Sequence, residues 1–287
     1  MIEKGKYATG AALRAALEER LKQIAKAENV QLQRLRRQVA FDRFLARLFP
    51  GSDTQWVLKG GYAMELRFEI ARATKDLDFT VRAISGSSND AVLGHLQEAG
   101  RQNLNDFFSF RVGAAMADLD GAPYGGSRYP VDARMADRTF VKFHLDAGIG
   151  DVVLDPVERI QTRDWFAFAE IPPASVPMIQ REQQFAEKLH AYTLPRGGAA
   201  NSRVRDLVDM VLLIQPGTLD VSIASEALQS TFNRRGTHSL PTALEPPPAD
   251  WSQPFQRLAE ECRLDPSMNE AFAVLLQFYN SLGGTRF

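Results

Sequence analysis

The chain has 287 residues, 45% of them hydrophobic and 24% charged, with 34 lysines and arginines against 35 aspartates and glutamates for a net charge of −1. That balance excludes a globally basic nucleic-acid binder and leaves only a local basic face for such a partner; no apolar run approaches the length of a membrane span, so no membrane partner is expected. A lone cysteine, Cys262, excludes an internal disulfide, and the opening MIEKGKYATG lacks a signal peptide's apolar stretch, so a cytoplasmic protein is expected. The four histidines, His95, His144, His190 and His238, are scattered and form no zinc-type cluster.

Residues 10–27 place Leu13, Ala16, Leu17, Leu21 and Ile24 at helical spacing, and the stretch 31–48 continues the period with Leu35, Val39, Phe41, Phe44, Leu45 and Leu48 until Pro50-Gly51. Trp56-Val57-Leu58 is a short apolar run that meets Lys59-Gly60-Gly61, after which Tyr62 to Ile70 returns to helical spacing: strand, glycine turn, helix. From Thr74 to Val81 polar and apolar residues alternate, so Asp76, Asp78 and Thr80 share one face of a strand. A helix is predicted over 89–104, then a hairpin from 129–135 and 139–147, in which Asp146 lies with Lys142 and His144 on the polar side. Pro172-Pro173 to Pro177 marks a joint between a part spanning 1–175 and a helical part spanning 176–287. In the latter, 181–192 and 202–214 read as helices around the loop Pro195-Arg196-Gly197-Gly198. A proline-rich stretch from Leu240 to Pro254 precedes closing helices over 255–262 and 268–282.

Three outward strand carboxylates, Asp76, Asp78 and Asp146, suggest metal, because side chains two apart on a strand project in parallel and hard divalent ions take several oxygen ligands. Gly60-Gly61 at a helix start lets backbone N–H groups approach phosphate oxygens, which the helix dipole also favours. Each signal alone is common on ordinary sheets and turns; their order, with a helix between them and a third carboxylate downstream, is what raises the joint reading. On periodicity alone Lys188 reads as a solvated helix lysine. Asp206 and Asp209, at i,i+3, read either as working together or as ion-pair partners of Arg203 or Arg205.

The segments L58-K-G-G-Y-A-M-E-L, T74-K-D-L-D-F, F143-H-L-D-A-G-I-G-D, E187-K-L-H-A and S202-R-V-R-D-L-V-D resemble the motifs of the AbiEii/AbiGii nucleotidyltransferase toxins, MenT-like members among them. The likeness runs through nearly all the chain, including Gly125-Gly126-Ser127-Arg128 and Thr237-His238 to Trp251. It implies an α+β fold: a polymerase-beta-like nucleotidyltransferase core, a mixed sheet flanked by helices, with a helical C-terminal portion. It also implies a toxin of a toxin–antitoxin or phage-defence system that transfers a nucleotide from an NTP, with two Mg²⁺ ions, to an acceptor such as the tRNA 3′ end, and that has a cognate antitoxin. Carried over by position, Asp76, Asp78 and Asp146 become metal ligands and Asp146 helps deprotonate the acceptor. Lys59, Gly60, Gly61, Lys188, Asp206 and Asp209 become nucleotide-binding, with Lys188 and Asp206 also catalytic. Arg196, Arg203 and Arg205 border the acceptor, although surface ion pairing explains them equally well. One departure is Tyr62 after Gly61, where the wider superfamily usually has Gly-Ser, whose hydroxyl can bind a phosphate oxygen. A kinase-like or protein-nucleotidylating toxin, or a non-catalytic NTP sensor, remains the alternative.

Overall fold

The computed structural model describes residues 6–51, 55–82, 89–119, 121–197 and 202–282; Gly198 of the predicted loop lies outside them. In chain order the elements are α1 (Gly10–Ala27), α2 (Leu32–Leu48), β1 (Trp56–Lys59), α3 (Gly60–Arg67), β2 (Asp76–Val81), α4 (Asn89–Arg101), β3 (Phe108–Val112), β4 (Ala117–Asp118), β5 (Gly126–Met135), β6 (Arg138–Ile149), β7 (Glu158–Gln161) and β8 (Ser175–Met178). The helices α5 (Arg181–Thr193), α6 (Val204–Ile214), α7 (Val221–Arg235), α8 (Ser252–Glu261) and α9 (Met268–Leu282) follow. Packing divides the chain into two compact units. One comprises Met1–Leu58, Ala73–Gly150 and Glu158–Met178; the other comprises Lys59–Arg72, Asp151–Val157 and Ile179–Phe287.

The first unit is built on a sheet of order β3-β5-β6-β2-β1-β8-β7, with β4 paired to β5. β2 runs parallel to β6 and β1 to β8, whereas β5 is antiparallel to its two neighbours β3 and β6, and β7 is antiparallel to β8. This is the mixed, helix-flanked sheet expected of an α+β core. Thr9 caps α1 by accepting a 3.2 Å bond from the Ala12 N–H, and Leu13, Leu17 and Leu21 form its buried stripe. α2 lies on β6, where Phe41 and Phe44 meet Phe143 edge-on with ring centroids 4.9 and 6.3 Å apart. Pro177, expected at a joint, sits within β8 opposite Arg159 of β7.

The second unit is helical. Phe185 and Leu189 of α5, Leu207 and Val211 of α6, Leu228 of α7, Phe255 of α8 and Leu275 of α9 share one core with Met64 of α3 and with Ala71. Asp220 caps α7 by accepting from the N–H groups of Ser222 and Ile223, and Gly236, at φ 59°, ends it in the left-handed conformation that glycine adopts without cost. The proline-rich stretch is tied down by hydroxyls: Tyr192 donates to the Glu245 carbonyl at 2.9 Å and Tyr279 to that of Pro241.

Candidate active-site residues

On β2 the alternation seen in the sequence is realised. Leu77 and Phe79 are fully buried on one face, while Asp76 and Asp78 project from the other. The parallel register sets His144 of β6 beside Asp76 and Asp146 beside Asp78, so the three expected carboxylates occupy two adjacent rows of one sheet face. The His144 Nδ1 lies 3.3 Å from an Asp76 oxygen.

The third strand of these rows supplies a residue with no assigned role in the sequence reading. Arg128 of β5 stands opposite Asp146, and its Nε and Nη2 donate to the two carboxylate oxygens at 2.7 and 2.6 Å, a fork-on-fork pair. That bond, opposed by partial burial and aided by the negative charges of Asp146, Asp76 and Asp78, raises the Arg128 pKa and keeps the guanidinium protonated. Gly126 is what lets β5 and β6 close up here. A Cβ at that position would run into the Ala147 carbonyl oxygen and the Gly148 Cα.

Among the described residues, no three metal-binding side chains are gathered into a ready-made coordination shell. The donor set nevertheless fits a hard divalent ion: two carboxylates two residues apart and a third in register with one of them, all oxygen ligands. The guanidinium of Arg128 is itself a cation seated against the third. Asp76 and Asp78 therefore fit a metal from their strand positions, while both oxygens of Asp146 are held by Arg128.

In the helical unit the expected residues fall into two buried charge networks. Gly60, at φ 67°, opens α3 in a conformation that a side chain would strain, and its carbonyl accepts a 2.7 Å bond from Gln184. The Lys59 ammonium is taken by Asp151 at 2.6 Å and Glu187 at 3.2 Å, and Arg235 pairs with the same two carboxylates at 3.0 and 3.7 Å. Burial works against the charge on Lys59, but Glu187 and Asp151 outweigh it and raise the pKa. Asp151, despite burial, is pulled down to about 2 by Lys59 and Arg235.

Lys188 of α5 makes the second network with α6. Its ammonium bonds Asp209 at 2.6 Å and Asp206 at 3.3 Å, and Arg72 grips Asp209 with two further bonds of 3.0 and 2.7 Å. Asp209 is wholly buried, whereas 14% of the Asp206 side chain is exposed and Arg203 approaches it at 3.6 Å. Asp209 thus serves as the fixed counter-ion of Lys188, and Asp206 as its outer one. Burial disfavours the Lys188 charge, yet Asp209 and Asp206 overcome it and raise the pKa. Arg72, Asp151 and Arg235 were not singled out from sequence, since nothing local relates them to partners this far along the chain. Arg196 donates to the Ala191 carbonyl at 2.9 Å. Arg205 lies on the exposed side of α6.

A family profile described as nucleotidyl transferase AbiEii toxin, type IV toxin–antitoxin system, matches residues 43–277. Among solved structures, MenT4, a nucleotidyltransferase toxin from Mycobacterium tuberculosis, is similar over 96% of this chain and 99% of its own, at 20% identity and a TM-score of 0.54. JHP933 from Helicobacter pylori is similar over 88% of this chain and 93% of its own, at 17% identity and a TM-score of 0.47. No curated protein matches. At such identity the MenT4 likeness speaks for the fold, a mixed sheet flanked by helices. The profile, spanning most of the sequence, speaks for the family: the chain belongs to the AbiEii toxins and is a nucleotidyltransferase of a type IV toxin–antitoxin system.

Proposed function

We propose that the protein transfers a nucleoside monophosphate from an Mg²⁺-bound NTP to the 3′ end of tRNA, in the cytoplasm, as the toxin of a phage-defence system restrained by a cognate antitoxin. The observation that carries the catalytic part is the register of β2 with β6, which aligns Asp78 with Asp146 and leaves Asp76 one row away on the same face. In this reading Asp76, Asp78 and Asp146 are the ligands of two Mg²⁺ ions. Those ions, when bound, neutralise the charge that builds on the entering and leaving oxygens.

The remaining roles belong to the chain's own groups. Lys188, anchored by Asp209 and more loosely by Asp206, keeps its positive charge and offers it to the triphosphate. Gly60 and Gly61, with the backbone of Lys59, present N–H groups at the start of α3 to phosphate oxygens. Arg196, Arg203 and Arg205 are proposed acceptor contacts. The test is incubation of the purified protein with each NTP radiolabelled at its α-phosphate, Mg²⁺ and total tRNA, with Asp76→Ala alongside. Label on tRNA with the wild type and none with Asp76→Ala, at unchanged melting temperature, is expected. Label that survives Asp76→Ala removes the metal assignment, and label on protein in place of RNA removes the acceptor.

A further inference from the structure

Beside Asp76 the outer face of the sheet opens into a cavity of about 570 Å³. Its chemistry follows from the strand register, row by row. The first row is Arg128, Asp146 and Asp78; the second is Pro130, His144 and Asp76. The third row changes sign: Arg111 of β3 and Lys142 of β6 flank Asp132 of β5, and Lys75 stands immediately before Asp76. Arg37 of α2 reaches the same place, its Nε donating to the Thr74 carbonyl at 3.2 Å.

Arg37, Lys75, Arg111, Arg128 and Lys142 all line this cavity, against two carboxylates, Asp76 and Asp132. Asp132, paired with Arg134 at 3.2 Å, also lies between Arg111 and Lys142 and offsets part of their charge, and Arg128 is taken by Asp146; the lining still carries more cations than carboxylates. Lys75, Arg111 and Lys142 are exposed and make no ion pair among the described residues. Three like charges held around one hollow repel one another, and that repulsion is relieved when an anion enters. Between this basic row and the carboxylates lie the Pro130 ring and the His144 imidazole, 42% of whose side chain is exposed, which suits a flat ring better than a flexible acidic side chain.

We propose that this cavity seats the phosphodiester backbone of the acceptor, a single-stranded nucleic-acid end. Its terminal sugar lies toward Asp76 and the adjoining phosphate on Lys75, Arg111 and Lys142. The inference rests on the acceptor being nucleic acid, as in the function proposed above, and it adds a seat on the sheet face to the contacts proposed for Arg196, Arg203 and Arg205. Two residues of strand advance by about 6.6 Å, so the basic row is within one nucleotide's reach of Asp76 in the neighbouring row. Backbone contacts of this kind fix register without reading sequence, so bases further along the strand are left free for other contacts.

The experiment is fluorescence anisotropy of the full-length protein with a fluorescein-labelled single-stranded RNA bearing a free 3′ hydroxyl, without NTP or Mg²⁺, across a salt series. The triple variant Lys75→Ala, Arg111→Ala, Lys142→Ala is compared with Arg196→Ala, Arg203→Ala, Arg205→Ala, which removes the same charge. The first triple is expected to bind at least about ten-fold more weakly and to lose about two to three units of salt slope, about one per lost phosphate contact, while its melting temperature holds. Unchanged binding by that triple, or a loss confined to the helical-unit triple, overturns the proposal. So does wild-type protein that ignores RNA but binds a polyglutamate probe. Transfer assayed separately keeps the two readings apart: RNA binding that depends on the three cations, in a protein that labels no RNA, leaves the cavity assignment standing and removes the proposed reaction.

Discussion

Asp206 and Asp209 are one helical turn apart and hold the same ammonium, yet their surroundings give them different duties. Asp209 has no exposed surface and serves two cations, Lys188 and Arg72. Burial pushes its carboxyl up, and those two neighbours more than reverse the shift, lowering the pKa. Asp209→Asn leaves two buried cations short of a counter-ion and is expected to cost about 3–5 kcal/mol. Asp206→Asn, at the partly open side of the network, is expected to keep the urea midpoint near that of the wild type and to depress nucleotide transfer. Urea titration beside the transfer assay separates the two, and equal destabilisation by both variants contradicts the division. Periodicity could place these aspartates on one helix face, but it carries no sign of Arg72, which arrives from far along the chain. That is why Lys188 looked solvated from sequence while the structure leaves only 9% of its side chain exposed.

At the level of elements, α2 shows how a charged residue can be as much a core residue as a phenylalanine. Arg47 is completely buried, and its guanidinium donates to both carboxylate oxygens of Asp106 and to the carbonyls of Gln102, Arg43 and Phe108. Arg43 adds a 2.7 Å bond to the same carboxylate. Burial raises the Asp106 pKa, and Arg47 with Arg43 overrides that to bring it below the ordinary value. Asp106→Ala is expected to destabilise by about 3–5 kcal/mol through two stranded guanidinium groups. Thermal or urea unfolding measures it, and a loss below 1 kcal/mol, on the order of a surface pair, speaks against the cluster as an anchor. The helix itself was legible because its apolar residues recur at the α period; the cluster was not, because Asp106 sits in a loop with no pattern around it. The strands divide in the same way. β2 and β6 announce themselves by alternation, whereas β7 and β8 have four residues each, and Pro177, which lacks an N–H for the ladder, argues locally against the strand that tertiary pairing imposes.

For the molecule as a whole, sensitivity to acid follows from a neutral histidine. Arg235 can only donate, so the His190 Nδ1 facing it at 3.4 Å is an acceptor, and Nε2 carries the hydrogen toward Thr237 at 2.9 Å. Burial first, then the charges of Arg235 and His238, lowers His190 from 6.5 to about 3. The unfolded chain therefore takes up a proton that the folded ring refuses. The contribution of His190 to stability is complete above its ordinary value and is lost as pH falls toward the folded one. Asp151, lowered from 3.8 to about 2, adds a second loss that sets in near the lower end of the first. The melting temperature is expected to decline from about pH 6.5 downward in the wild type and to stay flatter down to about pH 4 in His190→Gln; parallel profiles remove His190 as the cause. Much of the catalytic expectation was legible as a path of strand, glycine turn, helix and alternating strand. The counter-ions that hold it, Arg128 above all, come from register and packing, which a linear reading reaches only after the pairing of strands is known.

The helical unit draws its core from three separate stretches of chain. Met64 and Ala71 of Lys59–Arg72, with the partly buried Leu154 of Asp151–Val157, pack with the helices that follow Ile179. No single crossover in a gene can therefore exchange this unit between relatives intact. A recombinant joined after Met178 inherits a helical set fitted to one parent's Met64, Ala71 and Leu154 and receives the other parent's residues there. Inheritance of the two units is thereby linked, and sequence drift in the short inserted segments is answerable to the helices far downstream.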